Sequence, residues 1–387
     1  MTNDDTAPNG ARRPPSPRSA RTSAAGHGTW TVRAGTGEGE VALDPVLDAY
    51  ENWRRSGWDG GAHFTAALSI LATEDLIRRA NTSALHPHRL THARHEALAL
   101  IYFSRNGELP LNKLSTRLMV HPTSTTSTVD TLERLDLAER IAHPSDRRTT
   151  LARITPAGRA AIEATCAAMT SDRFGLSTLS STDARALFDL LEPLRRPHPH
   201  PTDHDGPGAN EAEPVDPGWV DPVLRAYENW RRSGWDGGAH FTAALSILAT
   251  EDLIRRANTT ALHPHRLTHA RHEALALIYF SRNGELPLNK LSTRLMVHPT
   301  STTSTVDTLE RLDLAERIAH PSDRRTTLAR ITPAGRAAIE ATCAAMTSDR
   351  FGLSTLSSTD ARALFDLLEP LRRPHPHPTD QDPTDST

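Results

Sequence analysis

Two cysteines in 387 residues, Cys166 and Cys343, are too few for a disulfide framework within a domain or for a zinc site built from clustered thiolates. No apolar run approaches the roughly 18 residues that span a bilayer, and the first residues lack the apolar core of an export signal. The chain is therefore expected to be cytoplasmic, with no membrane partner. A net charge of −3 neither demands nor forbids a polyanion, so any argument for one must rest on local charge. Also missing are a Ser-His-Asp order, a carboxylate pair, a phosphate-cradling glycine loop and a dinucleotide fingerprint. The sequence thus predicts a protein that is not an enzyme and carries no cofactor.

What is there is a long internal repeat. Residues 44–203 recur at 221–380, a constant offset of 177, with two differences: Asp48 against Arg225 and Ser83 against Thr260. Solenoid repeats run to about 20–50 residues, so a period this long is a whole domain written twice. Two copies of one domain on one chain suggest a built-in, two-fold-like dimer. Residues 1–40 and 197–217 are rich in Pro, Gly, Ser, Thr and Asp with little to bury, and 374–387 resemble them. They read as a disordered arm, a linker and a tail around two units, 41–196 and 218–373.

Within a unit, Asp44-Pro45 supplies an N-cap and a first-turn proline ahead of VLDAYENWRRSGW, and a second helical period runs from His63 to about Ala80. Thr91 caps HARHEALALIYFSRN, which Asn106-Gly107 stops. LPLNKLSTRLMV then carries Leu111, Leu114 and Leu118 at helical spacing. After His121-Pro122, another helix places Val129, Leu132 and Leu135 on one face and Thr123, Ser124, Thr126 and Ser127 largely on another. Beyond Asp136 the period alternates. LAERIAH and TTLARIT form a strand pair around the basic turn PSDRR. Helix resumes after Thr155-Pro156 with Ile162, Cys166 and Met169 in register. Ser180 with Asp183 opens a last helix bearing Leu187, Leu190, Leu191 and Leu194.

Helix, helix, turn, helix and a two-stranded hairpin with a basic tip is the layout of a winged helix-turn-helix. Short hydroxyl side chains suit a helix that enters the major groove, and guanidinium groups at a hairpin tip reach phosphates or a narrow minor groove. The DNA-reading residues are expected to be Thr123, Ser124, Thr126 and Ser127, with Thr300, Ser301, Thr303 and Ser304 in the second copy. The wing residues are Asp146, Arg147 and Arg148, with Asp323, Arg324 and Arg325. From Leu109 to Ala160 the basic residues Lys113, Arg117, Arg134, Arg140, Arg147, Arg148, Arg153 and Arg159 outnumber the five carboxylates. The opposing reading is a solvated polar helix and an ordinary basic turn; their order along the chain outweighs it.

LTHARHEALAL, LNKLSTRLMVHPTSTTSTVDTLERLDLAER and HPSDRRTTLARITPAGR resemble the MarR family of bacterial transcriptional regulators, in order and spacing, over about half of each unit. The resemblance implies a mainly α fold with a small β wing: two tandem winged helix-turn-helix domains forming an intrachain pseudo-dimer, interlocked by first and last helices. It implies a palindromic double-stranded DNA operator and a small-molecule effector that alters affinity. It also implies that the wing Asp braces an Arg while a neighbouring Arg enters the minor groove. Ser127 and Thr131 stand where many members carry Arg, so bidentate reading of guanine is not available from that helix.

Trp53, Arg94 and His95, with Trp230, Arg271 and His272, lie near where the family binds ligands, and they suit a planar anionic or aromatic molecule as readily as they suit packing. His86, His88, His92 and His95 are dense enough to raise metal sensing, although only Glu96 offers a nearby carboxylate. No metal site is assigned. Cys166 falls on an apolar stripe, which favours an inert thiol over a redox switch and leaves a pairing with Cys343 open. A protein-interaction scaffold without DNA binding is the alternative from another class.

Overall fold

The computed structural model describes residues 44–196 and 220–372, apart from Met119, Arg147, Met296 and Arg324. The arm at 1–40, the linker at 197–217 and the tail at 374–387 lie outside the described residues. The first copy runs α1 (Pro45–Arg55), α2 (Gly61–Leu85), α3 (His92–Tyr102), β1 (Glu108–Pro110), α4 (Leu111–Leu118), α5 (Pro122–Arg134), β2 (Ala138–Ala142), β3 (Thr150–Ile154), α6 (Pro156–Ser171), α7 (Ser181–Leu190) and α8 (Glu192–Arg195). The second repeats this as α9 (Pro222–Arg232), α10 (Gly238–Leu262), α11 (His269–Tyr279), β4 (Glu285–Pro287), α12 (Leu288–Leu295), α13 (Pro299–Arg311), β5 (Ala315–Ala319), β6 (Thr327–Ile331), α14 (Pro333–Ser348) and α15 (Ser358–Arg372).

The caps are where side-chain chemistry puts them. The carboxylate of Asp44 accepts the Val46 amide at 2.9 Å, Thr91 accepts that of Arg94, and Thr155 accepts that of Gly158. Ser180 accepts the amide of Asp183 and donates its own proton to the Asp183 carboxylate. Each satisfies a helical amide that has no partner within its own helix. Asn106 (φ 61°) and Gly107 (φ 68°) turn the chain out of α3 through left-handed conformations. Gly158 is needed for a different reason: a Cβ there would stand 2.0 Å from the Leu137 carbonyl, so only glycine lets α6 approach the start of β2.

The structure departs from the expected pattern in three places. The wing is a three-stranded antiparallel sheet in the order β1-β3-β2, with Leu109 opposite Ala152 and Arg140 opposite Ala152 on the other side. Residues 108–110, read as the approach to a helix, pair with β3 because the left-handed turn at Asn106-Gly107 delivers them extended. The second helix is longer than expected, 25 residues, since no proline or glycine interrupts it before Pro87. The last helix of the first copy tightens at Leu191 (φ −88°, ψ −5°), whereas α15 continues through Pro370.

One hydrophobic cluster runs through both copies. The second helix of each copy, rather than the first, is its main cross-copy support: α15 packs along α2, α7 along α10, and α2 against α10. Arg372 at the end of the second copy donates to Asp44 at the start of the first (2.9 Å) and to Ser69 on α2 (2.9 Å). The mirror arrangement joins Arg195 to Asp221 (2.9 Å) and Ser246 (3.0 Å). His63 meets the Leu356 carbonyl and His240 that of Leu179, each at 3.0 Å.

Candidate nucleic-acid interface

The second helix of the helix-turn-helix, α5, is built to be held on one side and bare on the other. Thr125, Val129 and Leu132 are buried, while Thr123, Ser124, Thr126 and Ser127 are exposed; Thr300, Ser301, Thr303 and Ser304 are exposed in the same way. Thr126 spends its proton on the Pro122 carbonyl at 3.0 Å, and Thr123 is engaged by the ring of His121. No described residue hydrogen-bonds the hydroxyls of Ser124 and Ser127, which leaves both free to donate or accept.

Arg140 on β2, counted from sequence among the free cations, is committed inside the domain. Its guanidinium pairs with Glu133, lies 2.7 Å from Asp130, and donates to the Thr126 carbonyl at 3.1 Å, while its backbone amide donates to Glu133 at 2.7 Å. One side chain thus pins α5 to the wing sheet. Arg153 is likewise paired, with Glu108 and Glu139. Lys113, Arg117 and Arg148 are exposed with no carboxylate partner among the described residues, and Arg134 bonds only the Thr131 hydroxyl. These four, with Arg159, are the basic side chains of the module that no carboxylate pairs among the described residues.

Asp146 shapes the wing tip through a backbone amide and a hydroxyl. Its carboxylate accepts the Arg148 amide at 3.0 Å and the Thr149 hydroxyl at 2.6 Å, and Asp323 repeats both contacts. The Thr149 hydroxyl first, then the Arg148 amide, hold the Asp146 carboxyl below its ordinary range. Arg147 and Arg324 lie outside the described residues.

The predicted ligand group is not brought together as a stacking site. Trp53 is only 2% exposed, donates its ring N–H to the Asp59 carbonyl and stacks on Phe64 at 4.2 Å; Trp230 does the same with Asp236 and Phe241. Both rings are packing anchors, because burying their large apolar area against other aromatics leaves no open face. His95 is half-buried and meets the Thr165 hydroxyl at 3.1 Å. That hydroxyl also lies 2.9 Å from the Ala161 carbonyl and 3.0 Å from that of Ile162. Burial, with His92 and His88 adding, lowers His95 to about 4, and His272 matches it. Arg94 bonds the Arg89 carbonyl beside an open groove lined by His86, Pro87, Arg89 and Leu90, a feature the sequence did not single out. Among the described residues no three His, Cys, Asp or Glu side chains converge to hold a metal ion. Cys166 and Cys343 are buried free thiols, pushed up to about 12 by burial.

The model of the MarR family matches residues 90–150 and 267–327, from the start of α3 to the wing in each copy. Sco5413, a MarR family transcriptional regulator from Streptomyces coelicolor, is 40% identical over 34% of this chain and 90% of its own, with a TM-score of 0.31. This chain belongs to the MarR family. The regulator MhqR of Bacillus subtilis is 36% identical over 74 residues, a stretch spanning half of that protein and 19% of this one. A MarR from E. coli, solved with operator DNA, is 22% identical over 32% of this chain and 88% of its own, with a TM-score of 0.29. In this MarR chain each family match ends in the wing, and both contain the Ser/Thr face of the reading helix and the Arg140 clamp or its copy, Arg317. The clamp was hidden in the sequence because Glu133 and Arg140 belong to different elements. The seven-residue spacing across a helix–strand junction is the one signal that points to it.

Proposed function

We propose that this MarR-type protein represses transcription by binding a palindromic operator, its two units, 41–196 and 218–373, paired within one chain, and that a small anionic or aromatic ligand releases it. The observation that carries the reading is the pairing, on one module, of a bare Ser/Thr face with a wing tip whose Arg148 has no carboxylate partner among the described residues. The hydroxyls would contact base edges, and Arg147 with Arg148, and Arg324 with Arg325, would contact phosphate and minor groove. Two nearly identical lobes on a short tether face each other at about millimolar effective concentration, which favours closure within the chain. Arg94, beside the His86–Leu90 groove, and its counterpart Arg271 are the groups to pair an effector carboxylate. Trp53 and Trp230 take no part in that proposal.

A mobility shift with DNA from upstream of the protein's own gene, over a salt series, tests the proposal. Sequence-specific retention is expected, with affinity falling steeply as salt rises. Each arginine removed from the wing should lower the log–log slope by about 0.9. Equal binding to scrambled DNA, or none, would remove the operator reading and leave the winged helices as an interaction scaffold.

A further inference from the structure

Trp58 sits on the loop between α1 and α2, and Trp235 on the matching loop between α9 and α10. Both are half-buried, and each meets two aromatic rings of the other copy. The ring of Trp58 stacks on Tyr279 (5.9 Å between centroids, 20° between planes) and meets Phe280 edge-on (5.7 Å, 72°). Trp235 does the same with Tyr102 (5.8 Å, 21°) and Phe103 (5.7 Å, 72°). Each tryptophan also touches the buried tryptophan of its own seam, Trp58 on Trp53 at 4.6 Å and Trp235 on Trp230 at 4.7 Å.

The far side of the contact leads to the wing. Tyr102 has Arg159 of its own copy over its ring at 5.6 Å and donates its hydroxyl to Glu163 at 3.2 Å. Arg159 in turn fills the space left by Gly107, where a Cβ would stand 2.6 Å from its guanidinium. Gly107 leads directly into β1, which pairs with β3 and so joins the wing sheet. Tyr279, Arg336, Gly284 and β4 repeat the series. A ring held face-on by one aromatic and edge-on by the next fixes an angle as well as a distance, which an aliphatic contact does not. The loop bearing it is flanked by Gly57 (φ 74°) and Gly60 (φ 77°), so the backbone there offers little resistance of its own to reorientation.

We infer that Trp58 and Trp235 are positioning residues that latch each reading head to the opposite copy's N-terminal helices and so fix the separation of the two reading helices, α5 and α13. The latch rests on the proposed pairing of the two lobes. Its consequence for DNA is a preference for one half-site spacing, since two helices held rigidly apart fit a single phase of the duplex.

The test needs no DNA. Spin labels at Ser127→Cys and Ser304→Cys report the separation of the reading helices in the full chain, and the buried Cys166 and Cys343 stay unlabelled. The parent should give one narrow interlabel distance. Trp58→Ala with Trp235→Ala should lose it for a broad distribution, with circular dichroism unchanged, and Trp58→Phe with Trp235→Phe should restore it. An alanine variant that keeps the parent's mean and width overturns the latch. If that variant does not fold, Tyr102→Leu with Tyr279→Leu removes the other half of the stack and is judged by the same criterion. Operators with altered half-site spacing then read the consequence: the parent should discriminate among them and the latch variant should not. A parent that binds no DNA removes the operator reading while the interlabel distance still decides the latch. A chain mass of two by light scattering would move the pairing between chains and leave the distance as the judge.

Discussion

Replacing Arg195 by Met should destabilise the protein by about 3 kcal/mol, the low end of the range for stripping one partner from a buried ion pair. Arg195 and Asp221 have side chains 2% and 4% exposed and lie 2.9 Å apart, with further bonds from Arg195 to the Phe188 carbonyl and Ser246 and a cation–π contact to Phe188. Methionine fills much of the same volume but leaves the Asp221 carboxylate buried, with the Val223 amide at 2.8 Å as its remaining partner. That retained bond keeps the cost at the lower end of the range. At about 1–2 °C per kcal/mol for a chain of this length, the melting temperature should fall by roughly 3–6 °C. The intact pair also has a cost, because the second terminal nitrogen of Arg195 is buried without a partner. Adding Asp221→Ser, which keeps an N-cap hydroxyl while deleting the stranded charge, should therefore recover at least about half of the loss. Arg372→Met should lose slightly less than Arg195→Met, since Asp44 is 10% exposed. Thermal melts of the parent and the three variants measure all of this. An Arg195→Met protein within about 0.5 kcal/mol of the parent would refute the claim that the Arg195–Asp221 pair holds the copies together.

Burial, reinforced by His92 and His88, lowers His95 to about 4, and His272 likewise, while the same side chain in the unfolded chain titrates near 6.5. The unfolded state therefore takes up a proton first. Stability should be complete above about pH 6.5 and fall progressively toward pH 4, by up to about 3 kcal/mol for each histidine; urea midpoints at pH 7 and 4.5 should separate, and His95→Gln with His272→Gln should narrow the gap. Cys166 and Cys343, buried and pushed up to about 12, should resist iodoacetamide at pH 8 and react at once in denaturant; rapid alkylation of the native protein would contradict their placement. Arg140→Met with Arg317→Met should weaken operator binding without changing its salt slope, because these guanidinium groups are committed to a carbonyl and to carboxylates inside the domain. A fall in slope by about 2 would mean that both contact DNA directly.

The repeat, the helix order and the capping residues were legible because each is a local pattern: Asp44-Pro45, Thr91, Thr155-Pro156 and Ser180 with Asp183 announce helix starts without reference to anything distant. The exposed Ser/Thr face followed from periodicity, since Thr125, Val129 and Leu132 mark the buried side of α5. What the sequence hid depends on contacts between remote residues. Leu109 scans as the start of a helical run, and only its partner Ala152 makes it a strand. Arg140 reads as a surface cation until Asp130 and Glu133 are seen beside it. Trp53 sits on an amphipathic helix near the seam and invites a ligand reading, yet Phe64 and Phe351 from opposite copies close over it. Nothing in the sequence pairs Arg195 with Asp221 or Arg372 with Asp44, because those bonds join the end of each copy to the beginning of the other.

The central claim is that one chain lays two equivalent reading heads on one operator. Footprinting with Arg147→Ala and Arg148→Ala in the first copy alone tests it most directly. The parent should protect two half-sites about one helical turn apart, and the variant should lose protection over one of them while the untouched Arg324 and Arg325 hold the other. Protection of both halves as in the parent, at the same protein concentration, would contradict the account.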